Sequence, residues 1–261
     1  GTCTSSDDPP PREAGSSANH RARRGRRLRA RARAAIRSVQ MDPLFETSCA
    51  QPFLVARFAA RQRILGWSLN RPGFAEGALV AWLEVRDADL PIGVDPLALL
   101  EERFATAGLS GAIGMMTARD VRRHRTARAA SGGLRAEALV TLGLTNGSVF
   151  GADGALREVA PPARAGTINI LVALSAPLAD GAMAEAISVA AMARSAALLA
   201  DGGRIVGTGT DCILVACPAG GEPLPYAGIH TPAGRCIAEA VRAATREARR
   251  DWEAEQPGGI P

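Results

Sequence analysis

The sequence predicts the α/β fold class: a single layered domain with a mixed sheet, an N-terminal antiparallel meander and three main helices. Residues 212–217 form an uninterrupted apolar run that ends at Pro218, which is typical of a central strand covered on both faces. The predicted order is three strands, a helix, two strands, a helix, a strand and a helix. Because strands and helices do not alternate throughout, the sheet is expected to be mixed rather than purely parallel.

The N-terminal half predicts the meander and the first helix. Residues 53–59, 63–69 and 78–85 are rich in Val, Leu, Phe and Trp and are separated by polar turns, which indicates three antiparallel strands. Asp95 and Pro96 then supply an N-cap and a first-turn proline. The helix that they open is expected to pack on the sheet by one apolar stripe.

The C-terminal half predicts further strands and two long helices around the apolar run. Helical periodicity and N-cap residues mark the helices, and continuous or alternating apolar patterns mark the strands. These elements are a strand over 137–145, a second central strand over 166–172, an Ala-rich buried helix over 178–200 and a helix from Thr231 to about residue 253.

Residues 1–40 differ in composition from the rest of the chain. Ten arginines fall between Arg12 and Arg37, and no aromatic residue is interleaved with them. The composition predicts a disordered arginine-rich tail and disfavours nucleic acid as a partner, since base stacking needs aromatic side chains. An alternative is that the tail is not native, because the chain begins with Gly1 and Met41-Asp42-Pro43 looks like a natural start. We expect residues 41–261 to fold as one domain.

Composition also excludes several kinds of chemistry and location. The chain has no lysine, so Schiff-base chemistry, which needs a lysine amine, is excluded. Five cysteines without a Cys-x-x-Cys pair favour a reducing cytoplasm, and Cys212, Cys217 and Cys236 lie inside apolar patterns. Charged residues, Gly or Pro interrupt every apolar segment before ~18 residues, so we expect no membrane span.

The turn that precedes the central strand is the first candidate site, with the sequence Gly207-Thr208-Gly209-Thr210-Asp211. A glycine-bearing turn anchored by a buried strand can present hydroxyls, a carboxylate and backbone N–H groups to a ligand. Gly207 and Gly209 would let a substrate approach the backbone. The alternatives are that Asp211 caps its own turn and that Thr208 and Thr210 are turn formers.

The segment before the last helix is the second candidate site. Thr231 and Pro232 look like an N-cap and a first helical residue, which places His230 and Thr231 at the positive end of the helix. The alternative is that His230 only bonds the backbone. Asn146 follows a strand and Asn169 lies within an apolar run. Each is a candidate ligand or oxyanion contact, although Asn169 is equally consistent with an amide that ties down a neighbouring loop.

No spacing of residues indicates a metal site. His-x-x-x-His and Cys-x-x-Cys patterns are absent from the sequence. His124 lies among four arginines. This positive environment makes His124 a poor metal ligand and favours a position on a solvated face or a contact with an anion. We therefore predict a site without metal or cofactor.

Five motifs follow one another along the chain: Thr141-Leu-Gly-Leu-Thr-Asn146, Gly166-Thr-Ile-Asn-Ile170, Pro177-Leu-Ala-Asp-Gly-Ala182, Thr208-Gly-Thr-Asp211 and Tyr226-Ala-Gly-Ile-His-Thr231. In this order they resemble the adenosylcobinamide amidohydrolase family, over about residues 53–251. The resemblance implies that residues 41–261 form an amidohydrolase domain with a corrinoid substrate. The implied reaction is hydrolysis of the aminopropanol amide of adenosylcobinamide, which gives adenosylcobyric acid and aminopropanol in cobamide salvage.

Amide hydrolysis needs a nucleophile, a base, an acid for the leaving amine and donors for the oxyanion. Asp211 and His230 are the candidate base and acid, with Thr208 or Thr210 as nucleophile or donor. Asn146 and Asn169 would bind the oxyanion or the amides of the corrinoid. The alternative function is a non-catalytic corrinoid-binding or anion-binding module that uses the glycine turn and the helix N-terminus as a cradle.

Overall fold

The computed structural model describes Gly1, residues 41–159 and residues 166–256. Contacts divide the chain into two compact units, Gly1–Asp42 and Pro43–Pro261, and every element below belongs to the second. The predicted arginine-rich tail lies, apart from Gly1, outside the described residues.

Within the described residues the second unit has eleven strands and three α-helices. The helices are α1 (Pro96–Thr106), α2 (Asp180–Leu199) and α3 (Pro232–Ala254). The strands are β1 (Glu46–Ala50), β2 (Phe53–Gly66), β3 (Gly73–Glu84), β4 (Ile113–Thr117), β5 (Arg125–Ser131), β6 (Leu134–Leu142), β7 (Gly147–Phe150), β8 (Leu156–Glu158), β9 (Ile168–Leu174), β10 (Ile205–Thr208) and β11 (Cys212–Pro218).

The main sheet is mixed, as the sequence predicts. Its strand order is β4-β3-β2-β11-β9-β6-β5, and β1 pairs with β2. β11 lies parallel to β9 and antiparallel to β2, so the apolar run forms a central strand. A smaller sheet has the order β10-β7-β8.

The main sheet has two halves that pack face to face. Side chains of β2, β3 and β4, such as Trp82 and Met115, meet side chains of β9 and β11, such as Leu171 and Leu214, in one buried cluster. α1 covers the outer side of the first half through residues that include Leu100. α2 and α3 together cover the outer side of the second half. The layers are therefore helix, sheet, sheet and helix pair, which confirms the predicted α/β class.

One predicted boundary within the meander is wrong. Residues 53–59 and 63–69 are predicted as separate strands, but residues 53–66 form the single strand β2. Pairing with β3 shifts register between Arg57 and Gln62 and then resumes. The polar residues that suggest a turn are largely exposed positions on a long strand with a bulge, where polar side chains remain in water.

The helix ends form as their capping residues predict. The Asp95 carboxylate accepts a hydrogen bond from Leu97 N at 2.9 Å, and the Thr231 hydroxyl accepts one from Gly234 N at 3.0 Å.

The segment formed by α2 and the turn after it is long and apolar enough to cross a membrane, by length and composition alone, with a mean hydropathy of 1.4. Its apolar face nevertheless packs on α3 and the sheet, as the core helix of a globular domain does.

Candidate functional site

A cavity of about 280 Å³ opens where the starts of β9 and β11 meet the end of β4. Most of its lining is apolar, and its polar side chains are Thr117, Thr167, Asn169 and Thr210. Two residues predicted for the site, Asn169 and Thr210, therefore lie together in one cavity. A mainly apolar concave site with a few convergent polar groups is typical of small-molecule binding.

Asn169 is one of the two most deeply buried of these polar side chains, since it and Thr117 each have 1% of their surface exposed. Its Nδ2 donates a hydrogen bond to the Met116 carbonyl at 2.7 Å, so it does tie the start of β9 to the end of β4. Among the described residues nothing donates to its Oδ1, and one N–H of the amide is unused. The Oδ1 acceptor and one N–H of this buried carboxamide are therefore available to a ligand in the cavity.

Thr167 and Thr210 join β9 to the turn before β11. Thr167 Oγ1 donates to the Thr210 carbonyl at 2.8 Å, and Thr210 Oγ1 donates to the Gly166 carbonyl at 3.2 Å. Each hydroxyl oxygen keeps its acceptor lone pairs for a ligand. The pair therefore presents two hydroxyl oxygens beside the Asn169 amide.

Asp211 lies behind this turn, and donors surround its carboxylate. Oδ1 accepts hydrogen bonds from Ile168 N at 3.1 Å and Thr208 Oγ1 at 2.5 Å. Oδ2 accepts from Thr208 N at 3.0 Å and from Arg194 Nη1 at 2.6 Å. The carboxylate is 8% exposed and does not line the cavity. This geometry is that of a carboxylate that caps its own turn, which was the alternative to a catalytic base; the catalytic role of Asp211 stays a prediction.

Thr208 and the two glycines serve the same turn. Thr208 directs its hydroxyl to Asp211 and is not part of the cavity lining. A Cβ on Gly207 would lie 2.7 Å from Asp211 Oδ2, so glycine is needed there for the carboxylate to approach. Gly209 is exposed and has open space around it. Neither glycine lines the cavity, so the structure does not place them with Asn169, and their substrate-binding role stays a prediction.

Asn146 packs beside the cavity rather than in it. A Cβ on Gly166, which lines the cavity, would lie 2.6 Å from Asn146 Oδ1. That oxygen is buried and has no hydrogen-bond partner among the described residues. Asn146 therefore borders the start of β9, and its contact with substrate stays a prediction.

The structure does not bring His230 and Thr231 to the other predicted residues. Pro232 packs against Gly132 in the β5–β6 turn, and β6 begins beside the end of β9, with Ala136 opposite Leu174. Asp211 is at the start of β11, beside the start of β9. The seven residues of β9 span roughly 20 Å, so the two predicted sites lie at opposite ends of the sheet.

This separation corrects the expectation that the predicted residues lie together as one hydrolytic set, while the catalytic role of His230 and the substrate-binding role of Thr231 stay predictions. His230 is exposed, and the Thr231 hydroxyl both donates to the Gly228 carbonyl at 2.8 Å and accepts from Gly234 N. The physical reason is that β11 carries the chain across the sheet between the two motifs. Residues close in sequence to either end of a strand are then far apart in space.

Of the described residues that line this cavity, Cys212 is the one with a titratable side chain. Burial raises the pKa of its thiol to about 12, so the thiol is protonated at neutral pH. Cys212, Cys217 and Cys236 are buried free thiols, as their apolar patterns predict. Among the described residues no three His, Cys, Asp or Glu side chains cluster to hold a metal ion.

Sequence reasoning missed three residues that shape this region: Thr167, Arg194 and Trp67. Thr167 follows Gly166 in the second of the five motifs, where nothing in the sequence distinguishes its hydroxyl from that of a threonine on any buried strand. Arg194 lies on α2 as a rare charge in an apolar helix, which signals a buried partner. Trp67 Nε1 donates to the Asp211 carbonyl at 2.5 Å, a contact that no sequence pattern indicates.

A second cavity, of about 390 Å³, lies between β7, β10 and the end of α2. Its charged lining residues include Arg157 and Arg204, and none of the predicted site residues belongs to it. The cavity at the start of β9 is therefore the better candidate, because two predicted polar residues converge there.

Comparison with known proteins identifies the family. The family model of adenosylcobinamide amidohydrolase matches residues 37–257. The chain is 42% identical over 112 residues to the adenosylcobinamide amidohydrolase of Halobacterium salinarum, covering 40% of this chain and 47% of that one. It is 37% identical over 113 residues to the one of Methanosarcina mazei, covering 40% and 51%. The matched regions thus span about half the length of these curated relatives.

Among solved structures, a protein from Pyrococcus horikoshii OT3 aligns with a TM-score of 0.41 at 14% identity, covering 80% of this chain and 79% of that one. The residues that the family model matches include the lining of the cavity, the turn before β11 and all three α-helices of the described residues. This chain belongs to the adenosylcobinamide amidohydrolase family.

Proposed function

We propose that this protein hydrolyses the aminopropanol amide of adenosylcobinamide to give adenosylcobyric acid and aminopropanol. Family membership supports amide hydrolysis on cobinamide. The observation that carries the proposal in this structure is Asn169, a carboxamide that is 1% exposed, lines the cavity and leaves an acceptor and an N–H unused. These two groups are complementary to the C=O and N–H of a secondary amide.

The cavity residues position the amide and the attacking water. Asn169 would hold the substrate amide, while the oxygens of Thr167 and Thr210 accept hydrogen bonds from water or from the amide N–H. A water molecule fixed in this way attacks without the entropic cost of a free encounter. Asp211 and Arg194 act as positioning residues, since they hold the turn that carries Thr210.

Selectivity for one amide follows from positioning rather than reactivity. The corrin ring carries several other amides, so the cavity must admit the aminopropanol side chain while the ring stays at the mouth. A cavity of about 280 Å³ suits one side chain and excludes the macrocycle.

We further propose that the protein acts in cobamide salvage in the cytoplasm. Its partner there is the corrinoid substrate, and it binds neither a membrane nor nucleic acid.

A second candidate function, corrinoid binding without chemistry, is favoured by one specific observation. Among the described residues, the lining holds no carboxylate or imidazole, and the Cys212 thiol in it is protonated. A binding module needs no such group, whereas proton transfer usually does.

Product analysis separates the two functions. The full chain is incubated with adenosylcobinamide, and the corrinoid and amine products are identified by mass spectrometry. Hydrolysis predicts adenosylcobyric acid and aminopropanol in equal amounts. Release of ammonia would contradict the choice of amide, and bound but unchanged corrinoid would establish the binding module instead.

A further inference from the structure

The mouth of the cavity carries a concentration of exposed apolar side chains. Trp67 and Leu69 line the cavity and are 46% and 38% exposed. The segment that supplies Leu90 and Pro96 to the lining also carries Ile92 and Val94, which are fully and 40% exposed. Apolar side chains of this size grouped around a cavity mark a ligand surface rather than ordinary solvent-facing positions.

Trp67 is the aromatic member of this group, and its one polar side-chain atom already has a hydrogen-bond partner. Its Nε1 donates to the Asp211 carbonyl at 2.5 Å. Its exposed portion is therefore mainly the carbon face of the indole. An indole whose N–H is satisfied by the protein holds one orientation and offers its π face to whatever enters the mouth.

The backbone that carries Trp67 is also fixed. Leu69 N donates to the Gly114 carbonyl at 3.0 Å. The Asn70 side chain donates to the Ala112 carbonyl at 3.0 Å and accepts from Gly114 N at 2.8 Å. The segment after β2 is thus fastened to β4, so the indole needs little ordering when a ligand binds.

We propose that Trp67 is a stacking platform for a flat conjugated part of the corrinoid. The inference rests on the proposed function, which brings a corrinoid to this cavity. Two parts of adenosylcobinamide have the required chemistry, namely the adenine base of its upper ligand and the conjugated corrin ring. With the aminopropanol side chain beside Asn169, the ring and its ligand remain at the mouth, where Trp67 lies.

Rapid ultrafiltration of the full chain, completed before product accumulates, tests the proposal, with the corrinoid measured by its own visible absorbance. Trp67→Leu keeps apolar area but removes the aromatic face, and Trp67→Phe keeps an aromatic face. Phe150→Leu is the matched control, because Phe150 is 59% exposed and does not line the cavity. We expect Trp67→Leu to weaken the affinity for adenosylcobinamide about tenfold, with Trp67→Phe within about threefold of wild type.

Cyanocobinamide, which lacks the adenosyl group, distinguishes the two sources. Loss of affinity on Trp67→Leu with adenosylcobinamide alone assigns the stacking to adenine, and loss with both corrinoids assigns it to the corrin ring. Equal affinity of wild type and Trp67→Leu for both corrinoids overturns the proposal, as does an equal loss for Phe150→Leu.

Fluorescence gives a second readout that does not depend on activity. Trp82 and Trp252 are 0% and 5% exposed, so Trp67 is the exposed one of the three tryptophans. Corrinoid binding should quench its emission in the wild type and change the emission of Trp67→Phe much less. Quenching that depends on Trp67, without hydrolysis, would contradict the proposed reaction and support the stacking role of Trp67. Hydrolysis with no effect of Trp67→Leu on affinity would support the proposed reaction and contradict the stacking role.

Discussion

Arg194 Nη1 lies 2.6 Å from Asp211 Oδ2, in an ion pair whose side chains are 15% and 8% exposed. The pair is joined by hydrogen bonds from Thr208 and Ile168 to the same carboxylate. Removing one partner of a buried ion pair leaves an uncompensated charge. We predict that Asp211→Asn lowers the free energy of unfolding by about 3 kcal/mol, as measured by urea denaturation.

A surface ion pair on the same helix layer supplies the control. Arg246 Nη2 lies 3.0 Å from Asp201 Oδ2, where Asp201 is 72% exposed, so Asp201→Asn should cost less than about 1 kcal/mol. The positioning role of Asp211 would be contradicted if Asp211→Asn kept full stability while turnover fell by ~10² or more, the usual effect of removing a general base.

His230 should be dispensable for the reaction. It is exposed at the start of α3, at the opposite end of the sheet from the cavity. We predict that His230→Ala keeps turnover of adenosylcobinamide within about threefold of wild type, measured as aminopropanol released per minute. A fall of ~10² or more would show that the imidazole acts as a general acid and that the cavity is the wrong site.

The Thr167 hydroxyl should matter for turnover. It lines the cavity at 7% exposure beside Asn169. We predict that Thr167→Val lowers turnover at least tenfold, on the order of one lost transition-state hydrogen bond, and that Thr167→Ser restores most of it.

Thr245 supplies a control for this substitution. It is a fully buried threonine on α3 whose hydroxyl has no hydrogen-bond partner among the described residues. Thr245→Val should leave turnover unchanged. Equal turnover of Thr167→Val and wild type would remove Thr167 from the site.

The thiol in the cavity lining should be inert. Burial raises the pKa of Cys212 to about 12, which lies above the range of ordinary assays, so the group stays protonated and does not supply a thiolate nucleophile. We predict that Cys212→Ala keeps turnover within about threefold between pH 6 and pH 9. A loss of ~10² that grows with pH would indicate thiolate chemistry.

The sequence predicted local features well because local physics determines them. The N-caps Asp95 and Thr231 and the buried strand over 212–217 depend on residues a few positions apart. The cavity depends instead on strand pairing between distant segments. Met116 at the end of β4 and Asn169 at the start of β9 are 53 residues apart in sequence and joined by one hydrogen bond.

The long central strand also explains why the residues of the predicted hydrolytic set do not lie together in the structure. The motifs that contain Asp211 and His230 are close in sequence, but the central strand that separates them spans the sheet. The Thr208 and Thr210 hydroxyls also have different roles, since one meets the Asp211 carboxylate and the other lines the cavity. The direction in which each hydroxyl of such a turn points can be established only when its hydrogen-bond partners are known.

In the proposed reaction, water held in the cavity beside Asn169 cleaves the aminopropanol amide. The most direct measurement is mass spectrometry of the corrinoid acid formed by the full chain in ¹⁸O-labelled water, with Thr167→Val as a second sample. We expect one labelled oxygen in the new carboxylate of adenosylcobyric acid and much less acid from Thr167→Val. An unlabelled acid, or no acid from the wild type while the corrinoid still binds, would contradict it.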